Sequence, residues 1–226
     1  MTSFAQAFGA VVAKDLRTEL RTMRSLPAMI LFAVTTFIIF RFGLDRTVLS
    51  GSLASGVVWT TLLFAAVLGI NRIFLPEREE GGFDAFRLAP VDRPVLFAAK
   101  ATVLFLYLAV VELIVVPVFA VFFLNDWSGL LPLILVLLLT NLGFAALGTL
   151  ISSMAVNSRA RDLLVPLLLL PLVVPLMIAA TGATSPLLDS GGPSYDKFGT
   201  WLLVLGLYDG IFCLVGYAVF DFLLED

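Results

Sequence analysis

The feature that most constrains this chain is the placement of its charges, which leaves long stretches with none. Residues 25–40, 47–71, 127–158 and 163–188 contain no Asp, Glu, Lys or Arg, while 101–125 and 198–220 contain one acid each, Glu112 and Asp209. A helix crossing the hydrocarbon core of a bilayer needs about 20 mostly apolar residues. The six stretches therefore predict six spanning helices, near 25–44, 48–70, 97–124, 130–152, 163–183 and 200–222. The first stretch is short, but Arg24 and Arg41 at its ends can snorkel outward and lengthen it. The third uncharged stretch is too long for one span, and it includes the turn Trp127-Ser128-Gly129 before the helix and polar Ser152, Ser153 and Asn157 at its end. Composition agrees: 60% of residues are hydrophobic and 14% charged, where a soluble domain has about a quarter charged. The expectation is a single transmembrane domain over residues 1–226, all-α, with an N-terminal interfacial amphipathic helix over 4–24 and a charged loop over 71–94 between spans 2 and 3.

Orientation follows from the basic residues. With six spans both termini share one side, which collects eleven of the 14 Lys and Arg, against three (Arg41, Arg46 and Lys197) on the other. The positive-inside rule then places both termini and the 71–94 loop in the cytoplasm. The net charge of −3 adds little, because placement of charge outweighs its sum in a membrane protein. The N-terminal segment lacks the short apolar core of a signal peptide, so retention is expected. In it, Phe4, Phe8, Val12, Leu16, Leu20 and Met23 recur at helical spacing opposite Lys14, Arg17, Arg21 and Arg24. Such a helix lies in the interface with its cations toward anionic lipid, either as a simple anchor or as an elbow bracing the bundle.

Later spans are punctuated by proline. Pro166, Pro171 and Pro175 fall within ten residues, which predicts a fifth helix that is kinked or partly unwound. Small residues in the fourth span (Gly143, Ala145, Ala146, Gly148, Ser152, Ser153) favour close helix approach. Glu112 and Asp209 are costly in lipid and call for hydrogen bonds inside the bundle or a wet cavity. Asn141 reads as a helix–helix contact.

The chain shows no equipment for catalysis of its own. It has no histidine, removing the commonest metal and haem ligand. Lone Cys213 forms no internal disulfide. The three lysines follow Ala13, Ala99 and Asp196, so no Gly-Lys phosphate loop exists. No metal site, bound cofactor or nucleic-acid partner is expected. Chemistry with water-side partners concentrates in the loop, where Glu77, Arg78, Glu79 and Glu80 precede Gly81 and Gly82, then Phe83, Phe86 and Leu88 before Pro90. Phe83 and Phe86 share a helix face. Two readings stand: a helix on the membrane surface, or a coupling helix seated in a groove of a cytoplasmic partner.

The segment EGGFDAFRLAP (Glu80–Pro90) resembles the cytoplasmic loop of ABC-2-type permeases, and more narrowly that of the CcmB family of haem exporter proteins in cytochrome c maturation. Ser55-Gly56-Val57-Val58-Trp59 followed by Asn71-Arg72-Ile73-Phe74, and Leu170-Pro171-Leu172-Val173-Val174-Pro175-Leu176, resemble that family's second and fifth spans. The outer loop 182–197 and the tail Glu225-Asp226 carry no such pattern. The resemblance implies a permease subunit in the bacterial inner membrane, forming a homodimer and coupled through Glu77–Pro90 to a separate CcmA-like ATPase that binds ATP. It also implies CcmC- and CcmD-like membrane partners and haem as a possible cargo. A second cytoplasmic loop, Arg159, Arg161 and Asp162, lies on the same side, with Glu112, Asn141, Pro171, Pro175 and Asp209 as intramembrane polar or hinge positions. A permease for lipid, polysaccharide or drug, or a non-transporting scaffold, remains the alternative.

Overall fold

A computed structural model describes residues 4–44, 46–74, 93–155, 158 and 160–223. Within them the chain forms seven α-helices: α1 (Phe4–Thr22), α2 (Leu26–Gly43), α3 (Gly51–Arg72), α4 (Arg93–Phe123), α5 (Leu130–Ala155), α6 (Arg161–Thr184) and α7 (Phe198–Leu223). A 3-10 turn, Ser185–Leu188, extends α6. Helices α2 to α7 are all long and apolar enough to cross a membrane, and the protein is a multi-pass helical membrane protein. The loop residues Glu77, Arg78, Glu79, Glu80, Gly81, Gly82, Phe83, Phe86, Leu88 and Pro90, and Arg159 in the second loop, lie outside the described residues.

Helix α5 is the hub, packed against α4, α6 and α7 and also touching α3. Its small residues explain why. A methyl group on Gly148 would stand 2.6 Å from Ile70 of α3, and one on Gly143 would stand 2.7 Å from the Asp209 carboxyl of α7. Those helices therefore approach the α5 backbone as side-chain-bearing residues would not allow. Helix α3 is the other interior element, with 67% of its span buried against 17% for α2 and for α7. At the far end from the charged loop, Phe37 of α2 meets Phe119 and Phe123 of α4 at centroid distances of 5.4 and 6.1 Å. There Trp59 Nε1 of α3 also donates to Thr184 Oγ1 of α6 at 2.9 Å.

Two expectations from the sequence need correction. The proline-rich fifth span is not unwound: α6 runs as one α-helix through Pro166, Pro171 and Pro175. Pro171 and Pro175 sit on its exposed side. In the turn they weaken, the Tyr208 hydroxyl of α7 donates to the Leu172 carbonyl at 2.7 Å, a neighbour's donor of the kind that stabilises proline turns in lipid.

The apolar stripe of α1 is also divided. Phe4, Leu20 and Met23 are exposed, while Val12 and Leu16 pack against the core. The residues of α1 that are fully buried are Ala7, Asp15 and Glu19. Two acids point inward because the bundle supplies their partners. Ser25 N and Leu26 N, at the start of α2, donate to Glu19 Oε1 at 2.7 and 2.9 Å, so Glu19 takes up backbone donors that a helix start leaves free. Asp15 faces a cation from α4.

Candidate functional site

The charged loop joins the end of α3 to the start of α4, and the end of α3 is held by side chains of α4, α5 and α6. Ser152 Oγ of α5 donates to the Ile70 carbonyl at 3.0 Å. Arg161 Nη2, from the first residue of α6, donates to the Asn71 carbonyl at 2.6 Å and to Ser152 Oγ at 3.2 Å. Arg72 Nη1 donates to the Arg24 carbonyl in the α1–α2 corner. Lys100 Nζ of α4 donates to the Ile73 carbonyl at 3.2 Å and stands 5.3 Å above the Phe74 ring. Helix termini leave carbonyls without intrahelical partners, and here side chains from three other helices answer them.

Lys100 ties this clasp to α1. It is 0% exposed, and its Nζ lies 2.8 Å from Asp15 Oδ2. About two turns farther along α4, Tyr107 Oη donates to the Asp15 carbonyl at 3.3 Å. A buried ion pair is geometrically demanding: attraction repays the loss of water only where further hydrogen bonds satisfy both groups, and the Ile73 carbonyl and Phe74 ring serve Lys100 in that way. Arg161 is likewise 2% exposed, whereas Asp162 beside it is exposed and occupies the first turn of α6, where a negative charge suits the helix dipole.

The intramembrane positions are arranged differently. Asn141 Nδ2 of α5 donates to Glu112 Oε2 of α4 at 2.6 Å, in a buried contact between helices. Asp209 of α7 is 2% exposed, lies in the notch over Gly143, and neither of its carboxyl oxygens has a hydrogen-bond partner among the described residues. Glu112 and Asp209 are therefore not a facing pair.

Sequence reasoning singled out Arg161 but missed Asp15, Glu19 and Lys100. The signal was present in part. Asp15 and Glu19 are four apart on one helix face, in register with Ala7 and Val11, and Lys100 stands inside the apolar run that becomes α4.

A bundle of six helices long and apolar enough to cross a membrane, with an enclosed polar clasp at the end of α3, is the build of a polytopic helical membrane protein. Residues 6–223 match the family described as CcmB protein, and the chain belongs to that family. It is similar to heme exporter protein B of Rhodobacter capsulatus, 30% identical over 75% of this chain and 78% of the relative. Heme exporter protein B of Pseudomonas aeruginosa is 26% identical over 89% and 90%, and that of Haemophilus influenzae 24% identical over 88% of each.

Proposed function

We propose that this chain is the permease subunit of an ABC transporter that exports or delivers haem for cytochrome c maturation. The observation that carries the reading is the match to the CcmB family over residues 6–223, in company with relatives named heme exporter protein B along most of their lengths. A separate CcmA-like subunit binds and hydrolyses ATP, and this chain contributes no catalysis. Both termini and the charged loop face the cytoplasm of a bacterial inner membrane, in keeping with eleven basic residues on that side. The permease works as a homodimer, with CcmC- and CcmD-like subunits completing the complex. Haem is cargo and not a resident group; with no histidine in the chain, any contact with it is apolar or transient.

The mechanical step is the transfer of ATPase movement into the membrane. Phe83, Phe86 and Leu88 seat in a groove of the ATPase, Glu77 to Glu80 set the register, and Arg159 and Asp162 form a second contact, while Arg161, expected there from the sequence, is enclosed in the clasp and does not reach the partner. The clasp supports this reading. A push on the loop arrives at the end of α3, which Arg161 joins to α6, Ser152 to α5 and Lys100 to α4, so these helices are displaced together. Replacing Phe83 and Phe86 by Ala is expected to release the ATPase subunit during purification while the bundle stays folded, and to abolish holocytochrome c accumulation. Retained co-purification with unchanged ATP turnover would overturn the coupling role. Normal holocytochrome c in a strain lacking this chain would overturn the haem cargo.

A further inference from the structure

A groove of about 560 Å³ opens between α4 and α5 on the membrane-facing surface. Its walls are apolar, with Val116, Pro117 and Ala120 on one side and Leu131 and Ile134 on the other. Trp127 lies at its mouth, in the α4–α5 connection remote from the charged loop, and is 54% exposed. Glu112 also lines the groove. It stands eleven residues before the end of α4, about 16 Å along the helix, which is near the middle of a hydrocarbon core about 30 Å thick. One of its oxygens accepts from Asn141, and Oε1 has no partner among the described residues.

We propose that this groove seats a transmembrane helix of a different polypeptide, one that presents a basic or amide side chain to Glu112. Volume and lining suit one row of apolar side chains. The choice of occupant rests on Glu112. A carboxyl group has several lone pairs to satisfy, and at this depth no water does so. A lipid acyl chain fills apolar space but brings no N–H. A second copy of this chain brings none at that depth either: among its described residues, Arg41 and Arg72 stand in the last turns of their helices, away from mid-depth, while Lys100, Arg161 and the mid-depth amide Asn141 are enclosed in their own bundle. A helix from another chain with Lys, Arg, Asn or Gln at mid-span supplies both the apolar surface and the donor. Intramembrane acids pair with such groups across helices. The inference extends the complex-subunit reading by locating a membrane partner, and it fails separately from that reading, because capture of the ATPase goes through the charged loop.

The test uses the full complex in native membranes. A photoreactive benzoylphenylalanine is placed at Leu131 in the groove, with controls at Leu203 and Leu214, which are exposed on α7. The groove probe is expected to give an adduct to another membrane polypeptide, with the cross-linked peptide mapping to a spanning segment that contains Lys, Arg, Asn or Gln. Glu112→Ala is expected to lower the yield at least tenfold. Ile134→Trp, which fills the groove from an exposed position and leaves Glu112 intact, is expected to lower it similarly with ATPase co-purification unchanged. Should Glu112→Ala fail to fold, the Ile134→Trp arm decides. Adducts to lipid alone, adducts to a second copy of this chain, a partner peptide lacking such a residue, or a yield no higher than at the α7 controls would each overturn the proposal.

Discussion

At the loop end of the bundle Lys100 meets Asp15 at 2.8 Å, a backbone carbonyl and an aromatic ring; deeper in the membrane Asp209 is equally enclosed and meets no hydrogen-bond partner. Glu112 falls between the two, with one amide partner. Near the loop, each buried charge fixes a position: Lys100 sets α1 against α4, Glu19 sets the corner into α2, and Arg161 sets α6 against the end of α3. At mid-depth the acids fix less, since a group with no partner cannot specify where a neighbour sits. The same residue type thus serves assembly in one region and leaves an unmet polar demand in the other.

That contrast has measurable consequences. The largest loss is expected from Lys100→Met, which removes the nearer cation from buried Asp15 and leaves Lys14 Nζ at 3.6 Å; removing one member of a buried pair costs about 3–5 kcal/mol. Thermal unfolding of the purified protein in detergent reads it, and adding Asp15→Leu is expected to restore much of the loss, because the buried charge goes too. Equal melting of the single variant and the parent would place Lys100 with the unpartnered group. Next comes Gly143→Ala, where the new methyl meets Asp209 and Leu176 at under 3 Å; overpacking of this kind costs about 1–3 kcal/mol. Combining it with Asp209→Ala is expected to recover part of the stability.

Smaller again is Glu19→Ala, which removes the acceptor for two N–H groups at the start of α2; loss of a helix-start acceptor costs about 1 kcal/mol. Glu19→Gln keeps an acceptor oxygen and is expected to melt close to the parent. The smallest loss is assigned to Asp209→Asn, a nearly isosteric change that breaks no defined contact among the described residues. A loss above about 2 kcal/mol there, on the scale of a buried polar group losing its partner, would mean that a group from outside the described bundle holds the carboxyl, and the contrast between the two regions would fall.

The spans were legible from the sequence because charge is excluded from lipid and its gaps mark helix ends within a few residues. The hub role of α5 was legible in its glycines. The inward turn of Asp15 and Glu19 was not, since helical periodicity assigns apolar residues to the interior and cannot register that Lys100 and two backbone amides wait there. Lys100 itself is counted with the basic residues of the cytoplasmic side, although the expected span 97–124 already contains it, and its enclosure shows only when α4 is seen to begin at Arg93. The continuity of α6 escaped for a related reason: three prolines argue for a break, and only the structure shows Pro171 and Pro175 turned outward with Tyr208 donating to Leu172. In each case the deciding partner lies on another helix, far away in sequence.

Helix α4 is 31 residues long, about 46 Å at 1.5 Å per residue, and so outlasts a hydrocarbon core of about 30 Å. The surplus makes it a lever. Its long arm packs against α2, α3 and α5, and its short arm ends at Arg93, where the charged loop attaches. With Lys100 and Asp15 as the fulcrum and Tyr107 bracing it farther along, a sideways load at the short arm is expected to tip the long one in the opposite direction. The far end carries Phe119 and Phe123 against Phe37, so under the proposed coupling a load applied on one side of the membrane is expected to register in the aromatic packing on the other.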